Sequence, residues 1–301
     1  MINKKNSAFF CYAALAITYI VLSLVLPVNQ HTLSQLHLSI YQYRVLVFVV
    51  ILPYALIWFA AFYAYVMMKA YTRLLGDERE TPAFMNITKG VQTMAWGLAV
   101  PAIISVILKA IGAKHPGFAD TAIIISNYLT LLVPLIAFVF ISNGSRLLSD
   151  LVKVRPGRNG MRIFVLLFIA FGVYYTVLTL TARKFHGNPY HLSREITMFT
   201  VIVPYLFAWF MGLMSCYEIV LYSKKIKGLL YKRALNRMSA GIGAVIGSSI
   251  FIQFINVVYA YKSNNSLGSL IILIYLLLTI EAVGYVLIAS GAKNLKRIEE
   301  I

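Results

Sequence analysis

Two apolar stretches of this chain carry the same proline-centred pattern, and that repetition constrains the fold more than any other feature. Val50-Ile51-Leu52-Pro53-Tyr54-Ala55-Leu56-Ile57-Trp58-Phe59 returns, roughly 150 residues later, as Val201-Ile202-Val203-Pro204-Tyr205-Leu206-Phe207-Ala208-Trp209-Phe210. Proline inside a helix removes one backbone hydrogen bond and kinks the rod. In a membrane the freed groups can be satisfied by neighbouring helices, so the lesion is tolerated there. A kinked aromatic helix at matching positions points to a duplicated membrane unit. The ends of the two units also correspond: Ile141-Ser142-Asn143-Gly144 resembles Ile288-Ala289-Ser290-Gly291.

Composition excludes a soluble globule. Hydrophobic residues make up 60% of the chain and charged residues only 12%, whereas soluble domains carry about a quarter charged residues. A hydrocarbon core about 30 Å thick takes about 20 apolar residues per helix, and the chain reads as eight such spans. The formal charge of +17 does not point to nucleic acid. Roughly 20 of the 27 Lys and Arg residues fall on one side of the spans, the pattern of the positive-inside rule. Anionic headgroups of the inner leaflet are partner enough for that charge. Cys11 and Cys216 lie in or beside apolar runs and form neither a disulfide framework nor a zinc spacing.

In chain order, span one is Ser7 to Pro27, preceded by Lys4 and Lys5. A positive start before an apolar core resembles a signal peptide. However, Val28-Asn29-Gln30 lacks a small-residue cleavage site, and the run has a counterpart in span five, Ile163 to Leu180. Span two is Val45 to Met68, span three Gly90 to Ala113 with Pro101, and span four Thr121 to Ser142 with Pro134. Span six is Ile196 to Tyr222, span seven Ala240 to Tyr261 and span eight Leu267 to Ser290. The fold class expected is an all-α polytopic membrane protein of eight transmembrane helices. They form two parallel-orientation four-helix repeats, 1–150 and 163–301, joined by a basic inner linker at 151–162. Four spans per half is even, so the halves share one orientation, with both termini cytoplasmic in the cell membrane. Between spans six and seven, Ile226, Leu229, Leu230 and Ala234 recur at helical spacing among lysines and arginines. Such a segment suits either an amphipathic helix on the inner leaflet or an extension of span six.

Ionisable groups inside the hydrocarbon are costly and therefore mark candidate sites. Lys109 lies roughly 12 Å from the middle of span three at 1.5 Å per residue, where a lysine snorkels to the headgroups. Glu218 falls near the inner boundary, with Lys224 and Lys225 close by. Glu281 is placed within about 3 Å of the midplane, too deep for a short carboxylate to reach water. It must be protonated, paired, or facing a wet cavity. Span seven offers Ser249, Gln253 and Asn256 on one helical face. The short turn between spans seven and eight makes them antiparallel, with Gln253 expected at the depth of Glu281. The first half has apolar residues at the matching positions, near Ala102 and Pro134, so the feature is no architectural need of the repeat.

Other motifs carry less. Gly243 and Gly247, after Gly241, form a small-xxx-small surface for close helix packing. As a nucleotide fingerprint Gly241-Ile242-Gly243 fails, with no strand before it. The five histidines, His31, His37, His115, His186 and His191, all fall in outer loops without metal-ligand spacing. No membrane histidine serves Ser215 or Cys216 as a base, and no H-E-x-x-H or Gly-x-Ser-x-Gly occurs, so neither an enzyme nor a bound cofactor is expected. The expected function is a small transporter or channel-like protein. Glu281, Gln253, Asn256 and Ser249 would bind a proton, cation or small polar solute, and Pro53, Pro204, Pro101 and Pro134 would act as hinges. The competing class is a non-transporting receptor-like or assembly subunit that binds another membrane protein, or a second copy of itself. There a Glu281–Gln253 hydrogen bond would be interhelical glue worth about 1 kcal/mol.

Overall fold

The computed structural model describes residues 4–25, 39–114, 116–152, 209–226, 228–261 and 267–300. Span five, Pro204 and all five histidines lie outside these residues, as do the side chains of Lys109, Gln253 and Asn256. The described structure is all helical: α1 (Lys4–Val25), α2 (Ile40–Thr72), α3 (Thr81–Lys114), α4 (Pro116–Leu151), α5 (209–225), α6 (Leu229–Tyr261) and α7 (Leu267–Glu299). Among the described residues, three stretches are long and apolar enough to cross a membrane: Leu52–Thr72, Thr81–Leu108 and Ile272–Glu299. Helices of this length and composition fit an integral membrane protein.

Local signals set the helix ends. Ser39 opens α2 with a capping box: its Oγ accepts from the Gln42 N–H at 3.2 Å, and Gln42 Oε1 accepts from the Ser39 N–H at 2.9 Å. Between α2 and α3, Asp77 accepts from the Arg79 N–H at 2.7 Å and, through its carbonyl, from the Thr81 hydroxyl at 2.6 Å. This turn presents Glu80 at the start of α3, where a negative charge suits the helix dipole.

Neighbouring helices repeat one packing device. A Cβ on Gly90 would lie 2.7 Å from the Ala137 carbonyl oxygen, and one on Gly144 2.5 Å from that of Ala83. These contacts bring the backbones of α3 and α4 together in antiparallel register. Between α6 and α7, a Cβ on Gly241 would lie 2.5 Å from the Gly284 oxygen, and one on Gly291 2.7 Å from the Ala234 oxygen. Ala83, Ile87 and Gly90 of α3 correspond at one constant offset to Ala234, Met238 and Gly241 of α6. Ala137, Ile141 and Gly144 of α4 correspond likewise to Gly284, Ile288 and Gly291 of α7. Close packing therefore falls on Gly241 rather than on the Gly243–Gly247 pair. Among the described residues, Gly243 has only the Cys216 Sγ near, at 3.7 Å, and Gly247 faces open space.

The helices run past the apolar spans at the end of the bundle where Lys69, Arg146, Lys224 and Lys296 lie, here called the basic end. The segment at 229–239 is neither a separate surface helix nor an extension of α5. It is the first part of α6, set off from α5 by the non-helical residues Ile226 and Gly228. The reason is burial. Ala234, Leu235 and Met238 are fully buried and continue the α6–α7 contact, while Arg233 and Arg237 point outward with Leu229 and Leu230. α3, α4 and α7 outlast their apolar runs in the same way, with Lys89, Arg146, Lys293 and Arg297 exposed on their outer faces.

Pro53, Pro101 and Pro134 each lie within a continuous helix. The Pro53 ring leaves the Val49 carbonyl without its helical donor. The Tyr275 hydroxyl of α7 donates to that oxygen. Nearby, Tyr12 of α1 stacks on Phe62 at 4.8 Å, meets Trp96 edge-on at 5.5 Å and donates to the Ala95 carbonyl of α3. Tyr19 packs on Trp58 at 4.8 Å, so α1 is antiparallel to α2 and starts at the basic end.

These contacts separate glycines that differ only in surroundings. Gly241→Ala should lower stability by about 1–3 kcal/mol because the new methyl meets backbone. Gly247→Ala, entering open space, should be neutral or gain up to about 1 kcal/mol in helix propensity. Thermal unfolding of the two variants in detergent checks this; equal melting temperatures would rule out the close α6–α7 approach.

Candidate functional site

Glu281 lies in α7 between two elements that cross it at defined heights. Val49–Tyr275 at one height, and Tyr285 on Met94 with Phe62 against Trp96 at the next, set α2 and α7 in parallel register, with Glu281 level with about Ala55. On the other side, Gly241 against Gly284 and Ile288 puts Glu281 level with Val245 and Ile246 of α6. The Glu281 side chain is 6% exposed. Its neighbour one turn along, Tyr285, is fully buried and donates to the Met94 sulfur of α3 at 3.4 Å. Among the described residues nothing hydrogen-bonds to the Glu281 carboxyl.

The register corrects one expectation. Gln253 lies about seven residues beyond the level of Glu281 on α6, roughly 10 Å toward the opposite end from the basic one. The two are not at equal depth. The side chains of Gln253 and Asn256 lie outside the described residues. Ser249 is described: its hydroxyl donates to its own helix, to the Val245 carbonyl at 2.8 Å, as Ser248 does at 3.0 Å. That bond occupies the Ser249 proton within one turn of helix and does not bring it to Glu281.

Glu218 is buried, at 7% exposed, and its partner is neither Lys224 nor Lys225. The Ser145 hydroxyl of α4 donates to its carboxylate at 2.6 Å. A Cβ on Gly212, two turns along α5, would approach the Phe138 ring of α4 at 3.3 Å. The α4–α5 pair is thus parallel and in contact, as is α2–α7. α5 is also tied to α6: the Ser239 hydroxyl donates to the Cys216 carbonyl at 2.9 Å, and the Ser223 hydroxyl to the Asn236 side chain at 2.7 Å.

A second polar group at the basic end went unseen in the sequence. The Glu80 carboxylate accepts from the Tyr222 hydroxyl of α5 and from the Tyr231 hydroxyl of α6, the latter at 2.7 Å. Tyr231 is also 2.9 Å from the Tyr71 hydroxyl of α2. Burial, Tyr71 and the Glu80 charge together push the Tyr231 phenol above its ordinary range, so it remains a donor. The signal was available: aligning the two Pro-Tyr patterns puts Tyr71 on Tyr222 and Glu80 on Tyr231. Among the described residues, no three His, Cys, Asp or Glu side chains gather as metal ligands.

The Ser145–Glu218 bond is open to measurement. Ser145→Ala should cost about 1–3 kcal/mol, because a buried carboxyl loses its donor. In Glu218→Gln the same serine change should cost measurably less, giving a coupling of about 1 kcal/mol in a double-mutant cycle. Strict additivity in thermal unfolding would show that the pair does not interact.

No protein-family model matches the chain, and no curated protein or solved structure matches it, so the functional reading rests on this geometry.

Proposed function

We propose that the protein is a small transporter or channel-like protein of the cell membrane, with Glu281 as a midplane site for a proton, a cation or a small polar solute. Its architecture, in this reading, is eight membrane helices in two four-helix repeats of parallel orientation, 1–150 and 163–301, with the basic linker 151–162 between them. The matching α3–α4 and α6–α7 contacts, related by one offset from α3 to α6 and another from α4 to α7, support the repeat. The clustering of exposed basic side chains at one end supports cytoplasmic termini and an anionic inner leaflet as lipid partner.

The observation that carries the functional reading is the setting of Glu281. It is buried between a helix of each half, beside the Pro53 turn, with no hydrogen-bond partner among the described residues. Interhelical glue draws its stabilisation from a bonded partner. A carboxyl without one costs stability and is retained for another reason, of which ion or proton binding is the simplest. The Pro53 turn, where α2 lacks one helical bond, is a natural bending point beside it. Two arrangements of the halves would then differ in which face of the membrane Glu281 meets. Gln253 and Asn256 lie farther along α6 and would line a path to the site rather than form it.

One observation favours the other class. The core that holds Glu281 contains large fully buried side chains, Tyr12, Trp58 and Tyr285 among them. A dry centre of that kind suits a non-transporting membrane partner.

The two readings part in one experiment. In a background carrying Cys11→Ser and Cys216→Ser, Glu281→Cys is exposed to a membrane-impermeant thiol reagent from each side. Proton flux into proteoliposomes under an imposed pH gradient is then compared for the unsubstituted protein and Glu281→Gln. Transport predicts labelling from at least one side and a flux decrease of about tenfold or more in Glu281→Gln. Silence of the cysteine in monodisperse, folded protein, with equal flux in both proteins, would leave the partner reading.

A further inference from the structure

Four side chains meet at the basic end: Tyr71 and Glu80 from the first half, Tyr222 and Tyr231 from the second. Under the two-repeat reading above, on which this inference rests, they are two equivalent pairs. Tyr71 corresponds to Tyr222 and Glu80 to Tyr231. Residues that are equivalent across a pseudo-twofold can meet one another only near its axis. The cluster therefore sits where the two halves abut.

Its chemistry is asymmetric in a way that favours closure. A second glutamate in place of Tyr231 would set two carboxylates against each other. A tyrosine in place of Glu80 would leave only neutral hydroxyls. With one acid and three phenols, the single carboxylate takes two charge-assisted hydrogen bonds, both donated from the other half. No lysine or arginine forms an ion pair with Glu80 among the described residues, so the carboxylate is committed to the opposite half. Tyr71 and Tyr222 are buried, whereas Glu80 and Tyr231 are half-buried at the rim, where water can replace them as partners. One turn deeper, Met68 and Ile219 are both fully buried, and they too correspond across the halves.

We propose that Glu80, Tyr71, Tyr222 and Tyr231 form a latch that holds the two halves together at the basic end. Its opening would admit water from that side as far as Met68 and Ile219. The latch closes one mouth of the bundle independently of what Glu281 binds.

Labelling kinetics test it. Met68→Cys and Ile219→Cys are made separately in the Cys11→Ser, Cys216→Ser background, and a membrane-impermeant maleimide is applied from the basic side. With the cluster intact, both cysteines should label slowly. Tyr222→Phe/Tyr231→Phe keeps both rings and removes both donors to Glu80, so the rate at both positions should rise by about tenfold or more. Glu80→Gln, whose amide still accepts, should give a smaller rise. Fast labelling with the cluster intact, or equal rates before and after the double Phe change, would overturn the latch. The two proposals fail separately. A silent Glu281→Cys leaves these rates as they are, and an inert latch leaves Glu281 labelling as it is.

Discussion

The contact on which the rest of the described structure depends is the approach of helix backbones at glycine. In a membrane, burying apolar side chains against one another gains little over burying them in lipid, so helices associate where small residues let backbones come close. Gly90 and Gly144 do this between α3 and α4, and Gly241, Gly284 and Gly291 between α6 and α7. Each pair of crossings fixes the register of a whole helix pair, and the register decides which polar groups can meet. With Gly241 facing Gly284, Glu281 falls beside Val245 and Ile246, and Gln253 is carried about two turns away. A slip of one turn between α6 and α7 would change the partner list of every buried group on them.

The parallel α2–α7 and α4–α5 contacts are of another kind. α2 meets α7 through the Tyr275 hydroxyl on the carbonyl that Pro53 leaves bare, and α4 meets α5 through Ser145 on Glu218. Hydrogen bonds of this sort between membrane helices are each worth about 0.6–2 kcal/mol, comparable to the methyl-sized steric terms at the glycines. Backbone approach therefore fixes the register of the α3–α4 and α6–α7 pairs. The polar contacts that join the pairs can be exchanged for water or for one another.

Much of this was legible in the sequence, and the misses have physical causes. The three long apolar spans among the described residues, the antiparallel pairing of spans seven and eight and the burial of Glu281 all follow from hydropathy and loop length. Helix ends at the basic side did not, because charge was taken to end a span. In α6, Arg233 and Arg237 lie on the outer face of a helix whose inner face, Ala234, Leu235 and Met238, is buried. Gln253 lies at a different depth from Glu281 because equal distance from a loop does not fix register; the crossing point at Gly241 does. Small-xxx-small spacing drew attention to Gly243 and Gly247. A single glycine facing another glycine, Gly241 against Gly284, has no spacing signature within one helix.

Among the acids that meet other helices Glu281 stands apart by its surroundings. Glu218 has a serine donor and Glu80 two tyrosines, so in each case desolvation is offset by bonds that also tie elements together. Such carboxyls explain themselves structurally. Glu281 sits deeper, against a turn of α2 whose one orphaned carbonyl is already served by Tyr275. Nothing described there stabilises a carboxyl in preference to an alanine or a leucine, which would fill the α2–α6–α7 junction at lower cost. On the two-repeat alignment proposed above its counterpart is Pro134, so the first half would build the same position without an acid. A group that costs stability at a position where the fold has an apolar alternative is the one whose removal should alter function more than folding.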